Sequence, residues 1–342
     1  RLELGLDHEF DNGLKLSFDA LYSETVNNVY FKNLAIESNN KVYGVNSSVG
    51  ANNPTSVAPY YTLDRSYYAI VDLANTNKGY SYSLSLMAQK SFAFGLDLMA
   101  SYTYGHSYSV NDGTSSIAYS NWKYNYGVDT NEPELSYALF DIPHKIMAMV
   151  SYKTPMYLGG LQTSFTLTYT GQSGQRYSYT MNESKDFNGD GQRGNSLMYI
   201  PTADELQQMN FVDPNDRNRF EAFIQNDSYL NRNRGGWSAR YAGKAPFEHH
   251  FDLHIAQDFF YDKKSGRKLQ FIVDLINFSN MLNRNWGIYN TSYYNLMILQ
   301  VSKLTADSNG NMTPTYQFTP QEIKLDDFNS RWRCQLGFRL VF

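Results

Sequence analysis

The chain has 342 residues, a formal net charge of −4, 16% aromatic and 18% charged residues. That length can bury a sizeable core as one large or two ordinary domains, and the weak negative charge gives no basis for a nucleic-acid partner. The longest apolar stretches, such as Ile146–Val150 and Leu296–Leu299, fall far short of the ~20 residues that a membrane-spanning helix requires. The single cysteine, Cys334, excludes an internal disulfide and any Cys-based metal site.

The recurring unit along the chain is a segment of about ten residues with period-two polarity, closed by a turn. Leu2, Leu4 and Leu6 share one face against Glu3, Gly5 and Asp7, and after Asp11-Asn12-Gly13 the alternation resumes from Leu14 to Tyr22. An Asn-Gly pair between alternating runs is a strong hairpin signal. Tyr80, Tyr82, Leu84 and Leu86 oppose three serines, and Leu96 to Tyr104 follows after Gly95. Ile146, Ala148, Val150 and Tyr152 form the fifth segment, and Leu161 to Tyr169 the sixth, after Gly159-Gly160. The seventh is Phe251, Leu253 and Ile255 against Asp252 and His254, and the eighth is Leu269 to Leu275. In the ninth, Arg331–Phe342, Trp332, Cys334, Leu336, Phe338, Leu340 and Phe342 share a face opposite Arg331, Arg333, Gln335 and Arg339.

That last division decides between two all-β architectures. A soluble sandwich with these arginines on its buried face would lose several kcal/mol for each unpaired charge. A transmembrane antiparallel β-barrel satisfies both faces, because one meets lipid and the other an aqueous lumen, and it explains a negative mean hydropathy. Short turns (11–13, 91–95, 155–160, 262–268) alternate with long connections at about 24–79, 105–143, 171–248 and 277–330. Outer-membrane barrels place short turns in the periplasm and long loops outside. Nine strands are an odd number and such barrels are even, so further strands are expected before Arg1, and residues 1–342 are read as the C-terminal part of a larger barrel.

Particular segments then resemble a family. The closing Trp332-Arg333-Cys334-Gln335-Leu336-Gly337-Phe338-Arg339-Leu340-Val341-Phe342 and the run Asp274–Asn283 resemble the last two strands of TonB-dependent outer-membrane receptors. Asp186–Gly191 with Asn195, Tyr199-Ile200-Pro201, Phe223-Ile224 and Arg234-Gly235 resemble the Oar-like branch found in Bacteroidetes. The resemblance implies a barrel of about 22 strands with an N-terminal plug, neither plug nor TonB-box being identifiable in this chain. It implies energised uptake of a ligand, with TonB engaged through an N-terminal region, and Phe342 as the signal read by the barrel assembly machinery. The other partners expected are outer-membrane lipid and a surface lipoprotein. The competing reading is a binding or structural barrel that docks a surface complex.

Asp186, Asn188 and Asp190 followed by Gly191 match the first half of a calcium loop, with oxygen ligands at positions one, three and five. Position twelve is Leu197 where a bidentate Glu is required, so calcium held with help from Asn195 competes with a plain polar turn. His250, Asp252 and His254 share a strand face, but at about 7 Å spacing they read first as lumen-facing polar residues. Tyrosine clusters (Tyr60, Tyr61, Tyr67, Tyr68; Trp122, Tyr124, Tyr126; Tyr289, Tyr293, Tyr294) and the stretch around Trp237 lie in the long connections. Trp122, Tyr124 and Trp237 are the ligand-contacting candidates among them, against interfacial girdle or loop packing, and the Arg232–Arg240 stretch reads first as a solvated loop. No nucleophile elbow, zincin or P-loop pattern is present, so no enzymatic activity is expected.

Overall fold

The computed structural model describes residues 1–44, 56–182, 184–262, 265–291 and 294–342. Nine strands form the continuous path of one antiparallel sheet, with the two-residue Ser136–Tyr137 pairing beside β4 as a tenth: β1 (Leu2–Glu9), β2 (Leu14–Glu24), β3 (Tyr80–Ser91), β4 (Leu96–Ser109), β5 (His144–Lys153), β6 (Leu161–Gln172), β7 (Glu248–Asp262), β8 (Arg267–Ile276) and β9 (Arg333–Val341). Each pairs with the strand before and the strand after it, which gives an up-and-down wall with β1 and β9 as its two edges. These are the nine segments marked by alternation. β7 is longer than its sequence pattern, because Gln257 and Asp258 interrupt the apolar rhythm while the pairing with β6 and β8 continues.

Register carries the alternation across strands. Leu6, Phe18, Leu86, Tyr102 and Ile146 lie opposite one another on five successive strands. On the other face, Ser91, Asp97, Ser151, Thr166, His254, Asp274 and Gln335 make a polar row across seven. The apolar face has no protein layer over it: Leu336 is 63% exposed, Phe338 74% and Leu340 58%. Covering one such side chain with hydrocarbon stabilises by ~1.5–3 kcal/mol, so a wall this wide is only tenable against lipid. Stacked rings, among them Tyr22 with Tyr80 and Tyr80 with Tyr108, collect on this face at the end carrying the long connections. The polar face satisfies itself: Ser85 bonds Thr103 at 2.7 Å, His254 meets Asp274 at 2.6 Å, and Asp258 accepts from Gln270 (2.7 Å) and Lys268 (2.5 Å). No helix among the described residues is long and apolar enough to cross a membrane.

The four long connections emerge at one end and fold together, which their polar composition did not announce. Gly243–Lys244, Arg176–Met181, Asn295–Ala306, Met312–Phe318, Ile36–Gly44 and Val57–Leu63 form a second sheet in that order, with strands from three different connections. Short helices cover it. Ala203–Gln208 starts at Thr202, whose hydroxyl accepts from Glu205 N–H while the Glu205 carboxylate accepts from Thr202 N–H, a reciprocal cap. Asn215–Asn226 buries Phe220 and Ile224, four residues apart on one helix face. With Met198, Ile200, Leu230, Ile298 and Tyr316 they form the largest apolar cluster of the molecule. The packed core therefore lies in this cap and not in the wall.

Candidate functional site

Beneath the cap lies a cavity of about 640 Å3 whose lining comes from the second, third and fourth long connections. Tyr124, Tyr126, Phe140, Tyr241 and Tyr294 present rings to it, and Lys123 and Arg193 present cations; no carboxylate lines it. Phe140 also borders a groove over Ser83 and Thr103 on the polar face of β3 and β4, so the chamber adjoins the lumenal side of the wall. Tyr241 and Tyr294 are two of the four described non-glycine residues with positive φ, at 55° and 68°. Such a backbone costs on the order of 1–3 kcal/mol and persists where its surroundings over-determine it. At Tyr241 they do: its N–H donates to Ser178 Oγ (2.9 Å), and its carbonyl accepts from Arg176 Nη1 (2.8 Å). Burial pushes the Tyr241 phenol above its ordinary range, so it faces the chamber as a neutral hydroxyl. A second cavity, of about 680 Å3, is lined by Tyr169, Phe247, Phe251 and Trp286; Tyr169 and Phe251 belong to the lipid-facing side of the wall.

A polar loop abuts the chamber through Asn195. Asp186 Oδ1 accepts from Gly189 N–H and Oδ2 from Gly191 N–H, both at 2.8 Å. Asp190 accepts from Gln192 N–H (2.7 Å) and Asn195 Nδ2 (2.8 Å). Gly189 sits at φ 77°, and a Cβ there would stand 2.3 Å from the Tyr61 carbonyl oxygen, so glycine is required. Burial, with the Asp190 charge adding to it, pushes the Asp186 carboxyl up to about 6, and burial also raises that of Asp190.

The residues singled out in the sequence are divided by the fold. Asp186, Asn188 and Asp190 converge in this loop, with Asn188 and Asp190 fully buried. Tyr124 is 58% exposed and lines the chamber, whereas Trp122 is only 1% exposed and donates Nε1–H to Asn131 Oδ1 (3.0 Å), so it presents no surface to a ligand. Trp237 packs edge-on against Tyr199 beside the cap core, away from the chamber lining. Phe342 ends the chain beside the β9 edge, 90% exposed. Tyr293 lies outside the described residues. His250, Asp252 and His254 go to separate partners: His250 stacks on Tyr289, Asp252 accepts from Asn277 N–H, and His254 meets Asp274. Among the described residues no three His, Cys, Asp or Glu side chains are grouped to hold a metal. The Arg232–Arg240 stretch departs from a solvated loop at its end, since Arg240 is buried and donates to the Ser109 and Val110 carbonyls and to Asn125. Arg193 and Tyr241 were missed because nothing in the local sequence distinguishes them from other loop residues, and Tyr294 was read only as part of a tyrosine cluster.

A wall with one lipid-facing side, one polar side and long connections gathered at one end defines an outer-membrane β-barrel protein. The chain belongs to the outer membrane beta barrel domain family, whose model matches residues 4–317, and this places it in the bacterial outer membrane. No curated protein and no solved structure matches it.

Proposed function

We propose that the chain forms the wall and cap of a TonB-dependent outer-membrane transporter, and that its chamber is where an incoming ligand is first held. The observation that carries this reading is the chamber itself, ringed by tyrosines, furnished with Lys123 and Arg193 and lacking carboxylates. Such a lining favours a ligand that combines a planar or ring-bearing body with negative charge, through stacking and charge-assisted hydrogen bonds. The open edges of β1 and β9 leave room for the larger barrel that the likeness of the closing strands to TonB-dependent receptors implies. In that setting Phe342 serves as the assembly signal, no catalytic group is required, and residues 1–342 act as barrel and cap.

The test is uptake in cells. Deleting the protein, disabling TonB, and replacing Arg193 and Tyr124 with Ala in an otherwise intact protein should produce the same growth defect on the same nutrient. Growth unaffected by TonB loss, together with stable copurification of a surface lipoprotein, would favour the docking reading instead.

A further inference from the structure

We propose that the loop from Asp186 to Asn195 holds a calcium ion that pins three of the four long connections together. Asp190 is buried and Asp186 beside it is half-buried, and neither makes an ion pair with a cationic side chain among the described residues. Two like charges side by side, one of them buried, need a counter-charge, and hydrogen bonds from amides only partly supply it. Two further oxygens point to what supplies the rest. Asn195 is 3% exposed, and its Oδ1 has no hydrogen-bond partner although its amide lies against Asp190. Thr130 is 1% exposed, and its buried hydroxyl has no hydrogen-bond partner. An amide turned about its last bond would aim Oδ1 where Nδ2 now points.

The donor set is all oxygen, which suits a hard cation. Asp186, Asn188 and Asp190 occupy the first, third and fifth positions of the loop, and the Gln192 carbonyl occupies the seventh. The twelfth position, Leu197, is committed to an apolar cluster, so Asn195 and Thr130 replace the missing bidentate carboxylate. Full burial of Asn188 and Asp190 selects against magnesium, which keeps several of its waters. The position of the loop gives the ion its consequence. Tyr61 N–H, from the first connection, donates to the Asn188 carbonyl at 2.7 Å. Gly127, from the second, exchanges backbone bonds with the third: its N–H donates to the Asn195 carbonyl, and its carbonyl accepts from Leu197 N–H, both at 3.1 Å.

The test uses the whole protein, purified folded in detergent and stripped with a chelator. Calcium alone is titrated in by calorimetry, and terbium luminescence excited through tyrosine locates the site beside Tyr60, Tyr61 and Tyr119. Wild type and the remote control Asp307→Asn should take up one equivalent of calcium. Asp190→Asn and Asn195→Ala should bind it at least tenfold more weakly, and magnesium should bind wild type at least tenfold more weakly than calcium. The proposal fails if folded wild type takes up no calcium, or if Asn195→Ala binds it as wild type does. Should Asp190→Asn not assemble, Asn195→Ala decides the matter alone.

Discussion

Asp141 and Arg176, each 2% exposed at the side chain, meet at 2.6 Å where the wall gives way to the cap. Asp141 also accepts from Ser107 N–H at 2.7 Å and lies 3.0 Å from His106, both on β4, while the Arg176 guanidinium stacks over the Tyr137 ring at 3.8 Å. The pair therefore fastens the start of the cap sheet to the top of the wall and supports the strained Tyr241 through its carbonyl. Breaking a buried pair from one side leaves an uncompensated charge, at a cost of about 3–5 kcal/mol. Arg176→Met should lower the denaturant midpoint for cap unfolding accordingly, and adding Asp141→Leu should recover most of the loss. A single variant as stable as wild type would show that the pair holds nothing.

The cap should also fail separately from the wall. Ile200 and Phe220 are fully buried in it, and truncation to Ala removes about 2–5 and 3–5 kcal/mol respectively. Limited proteolysis of either variant should cut within 173–247 while the wall keeps its heat-modifiable, protease-resistant form. Loss of the whole barrel would mean that wall and cap fold as one unit.

The wall was legible in the sequence and the cap was not, for a physical reason. A strand between lipid and water must alternate along the part that crosses the bilayer, so nine period-two runs stand out. Cap strands instead pair between connections far apart in sequence, some in parallel, as with Tyr179 opposite Leu296 and Asn210 opposite Thr315. Their inward residues are chosen by neighbours that local periodicity cannot reveal. Local signals were present all the same: the Thr202-x-x-Glu205 cap, the apolar run Leu197–Ile200, and Phe220 with Ile224. The metal-like spacing of Asp186, Asn188 and Asp190 was equally readable, but its enclosure by Thr130 and Tyr61 was not.

One pH dependence follows from the cap. Glu221 accepts from Arg234 Nη1 at 3.0 Å and Nη2 at 2.8 Å, which holds its carboxyl below the ordinary Glu value of 4.5. A carboxylate with a lowered folded pKa contributes stability that is present above the unfolded value and lost as pH falls through the folded one. Cap stability should therefore decline below about pH 4.5, and Glu221→Gln should be less stable than wild type at neutral pH yet lose less on acidification. Parallel declines in both proteins would remove this pair from the account.

Neighbouring residues of β9 should respond oppositely to the same new charge. Leu336 points from the apolar face and Gln335 from the polar one, opposite Asp274. Leu336→Arg should destabilise the folded barrel by about 2–4 kcal/mol if it lies near the bilayer midplane, and Gln335→Arg by much less. Equal costs would argue that both faces meet the same medium.

The most direct measurement places nitroxide labels one at a time at Phe338→Cys and Arg339→Cys, on a Cys334→Ser background in lipid vesicles. Collisions with dissolved oxygen and with a water-soluble nickel chelate then report the solvent at each position. The label at 338 should meet oxygen and be shielded from nickel, as in hydrocarbon, and the label at 339 should show no such lipid signature. If 338 instead collides freely with nickel while 339 behaves as lipid-immersed, the faces have been assigned backwards and the membrane reading of this wall is wrong.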